Sequence, residues 1–229
     1  RSLEQLKNKL GLKNIPYRIE AYDISNLGPD YRVGSMVVME DGLSKPSMYR
    51  KFHIKSFQGQ DDFKSMEEVL FRRLKRLTKN TENDPSFRRK PDLILIDGGK
   101  GQLSSAKGVI DHLQLDIDIV GLAKREEEIF KPFKKDSIML NKNSEALFTL
   151  QNIRDEAHRF AINENRRLRI KNFDKQTLLT IEGVGTISSK KVLDKFKTIE
   201  KLSKATYQDL EEIVSPSIAR KIFTHFNGL

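Results

Sequence analysis

The spacing of apolar residues changes period several times along the chain. Leu3, Leu6 and Leu10 lie at helical spacing with Gly11 positioned to cap them, which predicts a short lead-in helix. Over Tyr17–Ser25 (YRIEAYDIS), Tyr17, Ile19 and Ala21 alternate with Arg18 and Glu20, the period of a strand. Arg32–Glu40 (RVGSMVVME) predicts a second strand, Asp41-Gly42 a hairpin turn, and Met48–Ile54 (MYRKFHI) a third strand, together an antiparallel meander. The period then becomes helical: Met66, Val69, Leu70, Leu74 and Leu77 share one face of a helix within Asp61–Leu77. Residues 78–90 are polar and predict a loop.

The stretch Pro91–Gln102 (PDLILIDGGKGQ) has no alternation. A continuous apolar run bounded by turn residues fits a strand buried on both faces, ending in Asp97. A helix is predicted from about Gln102 to Leu113, then an apolar strand over Ile117–Ala123 ending at Lys124, and a charged β-ribbon or flap over 125–142. A long helix follows from Ser144 to about Arg169, with Leu147, Leu150, Ile153, Ala157, Phe160 and Ala161 on its apolar face. The order β-β-β-α-β-α-β-α is an α/β layout with mixed strand directions. It matches a ribonuclease H-like mixed sheet flanked by helices. In that architecture the first strand lies beside the fourth, and their carboxyl ends share the edge where α/β sheets bind ligands. Asp23 and Asp97 are then neighbours.

After residue 172 the texture changes to short helices. Within IEGVGTISSKKVLDKF, Gly183-Val184-Gly185 opens a helix, and Ile213–Phe223 (IVSPSIARKIF) is a looser second copy. Two such units predict a small all-α domain over 173–229, behind a domain over 1–172.

Charge adds a partner class. The chain has 42 Lys and Arg against 32 Asp and Glu, a net charge of +10, a balance that suits a polyanion and equally an ordinary basic protein. Residues 173–229 hold nine basic against seven acidic residues, so most of the excess lies in 1–172. The absence of cysteine excludes disulfides and thiolate metal sites and is consistent with the cytoplasm. No segment is apolar enough for a membrane span or a signal-peptide core.

Each candidate residue has two readings at this level. Asp23 and Asp97 either cap turns through nearby amides or together hold Mg²⁺ or Mn²⁺, since two adjacent carboxylates stay ionised only with a cation between them. His158, in RDEAHRFA, is a surface or packing residue, a metal ligand, or a base orienting water. Gly98-Gly99-Lys100-Gly101 lacks Walker spacing; it is a tight turn, with Lys100 and the amides available to a nucleic-acid phosphate. Lys124 is either solvated or directed at the same edge. Gly183, Val184 and Gly185, with Lys190 and Lys191 on the following helix, form either a glycine-capped corner or a helix-hairpin-helix grip on a DNA backbone.

Seven segments in order resemble one family: PYRIEAYDISNLGP, GSMVVMEDG, YRKFHIK, DDFKSMEEVLFRRL, PDLILIDGGKGQLSSA, GLAKREEEIF and RDEAHRFAI. They are similar to the C-terminal half of bacterial UvrC, the incision nuclease of nucleotide excision repair, over nearly the whole chain. The resemblance implies a ribonuclease H-like endonuclease domain, a tandem helix-hairpin-helix domain, and incision of damaged double-stranded DNA 5′ to the lesion. It assigns catalysis to Asp23, Asp97 and His158, with a secondary acid at Asp62. Asn165-Arg166 stands where the family often has His-Arg, and Ser215-Pro216-Ser217 where the second hairpin would carry glycines. The family's N-terminal half, with a GIY-YIG nuclease and a UvrB-binding segment, has no counterpart in these residues. The chain is therefore expected to be a monomeric fragment that meets UvrB mainly through that half.

Overall fold

The computed structural model describes residues 1–26, 32–54, 61–78, 82–123 and 127–227, apart from the side chains at 164, 165, 168 and 169. Helix α1 (Ser2–Leu10) ends at Gly11, whose left-handed backbone (φ 56°) closes it as the leucine spacing predicts. Strands β1 (Arg18–Asn26) and β2 (Arg32–Glu40) follow. The third predicted strand, Met48–Ile54, is present as β4 (Arg50–His53), and an unpredicted two-residue strand, β3 (Leu43–Ser44), precedes it; both pair with β2 and a 3-10 turn at Pro46–Met48 separates them. Proline at that position removes a ladder donor, which accounts for the break.

Helix α2 (Asp62–Leu74) and the short α3 (Pro85–Arg88) lead to β5 (Leu93–Asp97), α4 (Lys100–His112), β6 (Asp118–Ala123) and β7 (Glu128–Phe130). Helix α5 (Glu145–Leu179) runs ten residues beyond the predicted end at 169; the sequence there has no glycine or proline to stop it. The remaining helices are α6 (Thr186–Phe196), α7 (Ile199–Leu202), α8 (Tyr207–Glu211) and α9 (Pro216–Asn227).

Among the described residues, seven strands form one mixed sheet in the order β3-β2-β1-β5-β6-β7, with β4 also on β2. β1 is antiparallel to β2 and parallel to β5, and β5 is parallel to β6. The expected adjacency of first and fourth predicted strands is therefore present. Odd residues of β1 (Ile19, Ala21) join α1 and α5 in one core layer, and Tyr22 joins α2 and α4 in the other. The chain divides into two compact units, Arg1–Asn163 and Glu164–Leu229. The second has its own core, in which Leu178, Val184, Val192, Leu202, Leu210 and Ile222 are buried.

The alternation in β1 does not put its charged residues in water. Arg18 and Glu20 are both fully buried. Glu20 accepts from Arg18 (2.9 Å), from Arg73 of α2 (2.8 Å) and from the Tyr22 hydroxyl (2.7 Å). Arg18 and Arg73 also donate to the carbonyls of Ser86 and Phe87 at α3. Buried charges persist only when so completely paired. The network ties α2 and the α3 turn to β1, three residues ahead of Asp23.

Candidate active site

Pairing of β1 with β5 runs from Ile19↔Leu93 to Tyr22↔Ile96, and the next step sets Asp23 beside Asp97 at the carboxyl edge. Both continue the face of Ala21 and Leu95, against which α5 packs through Leu150, Ile153 and Ala157. His158 follows Ala157 at the rim of this layer, with its side chain 47% exposed. One ligand atom from each of Asp23, Asp97 and His158 lies within 4.8 Å of the others. Asp23 is 6% exposed and Asp97 is half-buried. The two acids and the histidine singled out in the sequence therefore form one cluster.

The local sequence enforces this arrangement. Neither acid is a helix cap: Gly99 occupies the N-cap position of α4, which already begins at Lys100. The turn is thus only Gly98 and Gly99. A Cβ on Gly98 would stand 1.5 Å from Gln102 Oε1, so the Gln102 side chain packs against this turn only because position 98 is glycine. The Ser25 hydroxyl donates to Asp23 Oδ2 at 2.9 Å. Its Oδ1 faces His158 Nδ1 at 4.0 Å. The charged residues around His158 pair among themselves. Arg154 bonds Asp155 and Glu127, and Arg159 donates two hydrogen bonds to Glu156, holding the Glu156 carboxyl below its usual range. The imidazole is the member of that run directed at Asp23.

The donor set suits a hard divalent cation: two carboxylate oxygens and one imidazole nitrogen, with no thiolate in the chain. Asp62 stands apart from the cluster. It opens α2, where Asp61 is the cap, and its carboxylate lies 3.7 Å from Arg32. Lys100 turns away from Asp97: its ammonium donates to the Lys135 carbonyl at 2.7 Å and sits over the Phe130 ring. Lys124 lies outside the described residues.

In the second unit Gly183 has φ 83°, Val184 is buried, and Gly185 caps α6 without a side-chain bond. Lys190 and Lys191 are exposed on α6. A Cβ on Gly183 would come within 3.0 Å of the Lys221 ammonium, so α9 brings a cation to the first glycine turn.

Sequence reasoning missed three features. Ser25 as a clamp on Asp23 was legible only as spacing, two residues on along the same strand face. Ser35 of β2 is directly opposite Asp23, and Lys51 of β4 opposite Ser35, so one row of the sheet continues from the acids to a lysine. That row depends on register, which the sequence does not state. Lys221 at Gly183 joins segments 38 residues apart, a proximity no local pattern encodes.

Comparison with known proteins adds a family. Residues 7–162 match the model described as the UvrC RNase H endonuclease domain. The chain is 44% identical over 232 residues to the UvrABC system protein C of Methanococcoides burtonii, covering 99% of this chain and 37% of that protein. It is 41% identical to the protein of the same name from Streptomyces avermitilis, covering 96% of this chain and 35% of that one. The chain thus spans little more than a third of the length of these curated relatives. Among solved structures it is similar to Ciona intestinalis endonuclease V bound to inosine-containing DNA, at 12% identity and a TM-score of 0.44 over 72% of this chain and 95% of that one. Among the described residues no helix is long and apolar enough to cross a membrane.

Proposed function

The chain belongs to the family of UvrC ribonuclease H endonuclease domains, and from that membership and the geometry of its site we propose a divalent-metal-dependent DNA endonuclease that incises 5′ to a lesion in nucleotide excision repair. One observation carries the reading: ligand atoms of Asp23, Asp97 and His158 converge within 4.8 Å at the carboxyl edge of adjacent parallel strands. Asp23 and Asp97 are the residues that would hold Mg²⁺ or Mn²⁺, with His158 as a third ligand or as the base. The chemistry such an ion supplies when bound is activation of a water and neutralisation of charge on the phosphate.

The chain's own residues do the rest. Ser25 fixes one oxygen of Asp23 and so orients the other toward the shared space. His158, at the rim, is open to solvent on one side and faces Asp23 on the other, the arrangement a water-orienting or proton-accepting imidazole needs. Lys124, following β6, is a further candidate for contact with the phosphate, and Asp62 is a secondary acid. Gly183, Val184 and Gly185, with Lys190 and Lys191, support a reading of residues 173–229 as a tandem helix-hairpin-helix domain that grips the DNA backbone. In the first unit Lys100 is a minor candidate for a phosphate contact, its ammonium donating to the Lys135 carbonyl. Damaged double-stranded DNA is the substrate in this account, and UvrB the partner of the complete system, in the cytoplasm.

Nicking of a lesion-bearing or bubble duplex by the purified chain tests the proposal. Cleavage should require Mg²⁺ or Mn²⁺, stop with EDTA, and disappear in Asp23→Ala while DNA binding persists. Equal or better cleavage of an RNA–DNA hybrid or a four-way junction would overturn the substrate assignment, and nicking by Asp23→Ala would overturn the site.

A further inference from the structure

The hairpin after β7 carries an aromatic ring where folding has no use for one. Ile129 and Ile138 exchange hydrogen bonds of 3.0 and 2.8 Å, which closes the hairpin, and its tip reads Lys131-Pro132-Phe133-Lys134-Lys135. The Lys134 amide donates to the Lys131 carbonyl at 3.3 Å, making 131–134 a turn with Pro132 second and Phe133 third. Phe133 has φ 60°. Positive φ at the third position of a Pro-led turn is the place of glycine or asparagine, and a bulky residue there is strained. The other described non-glycine residues at positive φ are Asp41, Gln114, Glu127 and Lys197, all polar.

Packing does not compensate. The Phe133 side chain is 89% exposed, the most exposed large apolar residue described. Its backbone works against the turn and its ring buries nothing. Strain and exposure that the fold does not repay point to a contact made with something else.

The surroundings state the chemistry of that contact. Lys131, Lys134 and Lys135 flank the ring in sequence, and the Lys107 ammonium lies 6.0 Å from its centroid while pairing with Asp111. Planar apolar surface amid cations is the composition that binds single-stranded nucleic acid, where bases stack on aromatics and lysines follow the backbone. The hairpin is also anchored. Lys131 donates to the Leu10 carbonyl at 2.7 Å, and Lys100, three residues past Asp97, donates to the Lys135 carbonyl. One lysine side chain therefore ties the tip to the turn that sets Asp97.

We propose that Phe133 is a stacking platform for an unpaired base of the DNA strand that leaves the Asp23–Asp97–His158 site, so that the chain recognises an opened duplex as well as its backbone. The inference rests on the reading of the chain as a DNA-acting nuclease and adds the feature of the substrate that this hairpin selects. Binding and cleavage are separate readouts, so the two can fail independently.

The test measures affinity of the full chain, in EDTA, for a bubble duplex with 2-aminopurine in its unpaired segment and for the same duplex fully paired. Phe133→Gly removes the ring and gives the turn its preferred residue, so its thermal midpoint should equal or exceed that of the wild type. It should weaken bubble binding by roughly 5- to 100-fold, the loss of one stacked base, and leave duplex binding unchanged. Phe133→Trp should restore bubble affinity, with its fluorescence quenched on binding. Unchanged bubble affinity in Phe133→Gly would overturn the proposal, as expected if the ring instead docks a protein. Equal losses for bubble and duplex, or no DNA binding by the wild type, would also overturn it. Bubble-selective binding that depends on Phe133 without nicking in Mn²⁺ would uphold the platform and sink the nuclease reading alone.

Discussion

Asp23 and Asp97 stand at the same level of two adjacent parallel strands, each one residue beyond the last matched pair, Tyr22 and Ile96. Carboxylates so close repel when no cation lies between them. Asp97→Asn removes one of the two carboxylates that would hold such a cation. The same variant should lose both nicking and the stabilisation that Mn²⁺ confers on the wild type. Scanning calorimetry with and without Mn²⁺ checks this; a midpoint that Mn²⁺ raises as much in the variant as in the wild type would contradict it.

Ser25 acts through Asp23. Its hydroxyl fixes Oδ2 at 2.9 Å and so limits the rotation of the carboxylate. Removal of a hydrogen bond that orients a metal ligand typically weakens metal binding about 10- to 100-fold. Ser25→Ala should shift the Mn²⁺ concentration for half-maximal nicking, and the Mn²⁺ affinity by calorimetry, by about 10-fold. Affinity for DNA in EDTA should stay constant, and Ser25→Thr should recover most of the loss. A change in DNA affinity without a change in Mn²⁺ affinity would refute the positioning role.

The architecture was legible where the chain uses period and punctuation. The unbroken run Leu93–Ile96 reported a strand buried on both faces, and strand order alone brought Asp23 beside Asp97. His158 was legible as a helical residue next to the buried Ala157. Residues that act through register or long-range contact were not. Arg18 and Glu20 alternate with the apolar residues of β1, and that pattern cannot distinguish solvent from a buried guanidinium partner such as Arg73. The expected boundary at 172 and the division at Asn163–Glu164 both fall inside α5, a helix written without a glycine or proline to mark either.

The buried network makes its own prediction. Glu20 is the one acid between Arg18 and Arg73, and both guanidiniums are fully buried. Glu20→Gln takes the counter-charge from buried Arg73 and leaves Arg18 with Glu40 alone, a loss of roughly 3–5 kcal/mol. Urea unfolding followed by far-UV circular dichroism should show a much lower midpoint, and cleavage should fall with it because β1 carries Asp23. An unchanged midpoint would mean the amide satisfies both arginines.

A pH dependence follows from Asp84. Arg50 donates two hydrogen bonds to it, at 2.6 and 2.8 Å, and together with the Ser86 amide holds the carboxyl well below its usual range, against the effect of burial. A carboxyl whose pKa is depressed on folding stabilises fully above its unfolded value, about 3.9, and loses that contribution as pH falls through the folded value. Asp84→Asn should therefore destabilise the protein more at pH 6 than at pH 2. Parallel urea-midpoint profiles for the two proteins across that range would contradict the assignment.

The most direct measurement of the central claim is anomalous scattering from crystals of the chain soaked in Mn²⁺. The account predicts a peak at coordination distance, about 2.1 Å, from one oxygen of Asp23 and one of Asp97, with His158 as third ligand or beside a bound water. A Mn²⁺ peak elsewhere, with none between Asp23 and Asp97, would contradict it.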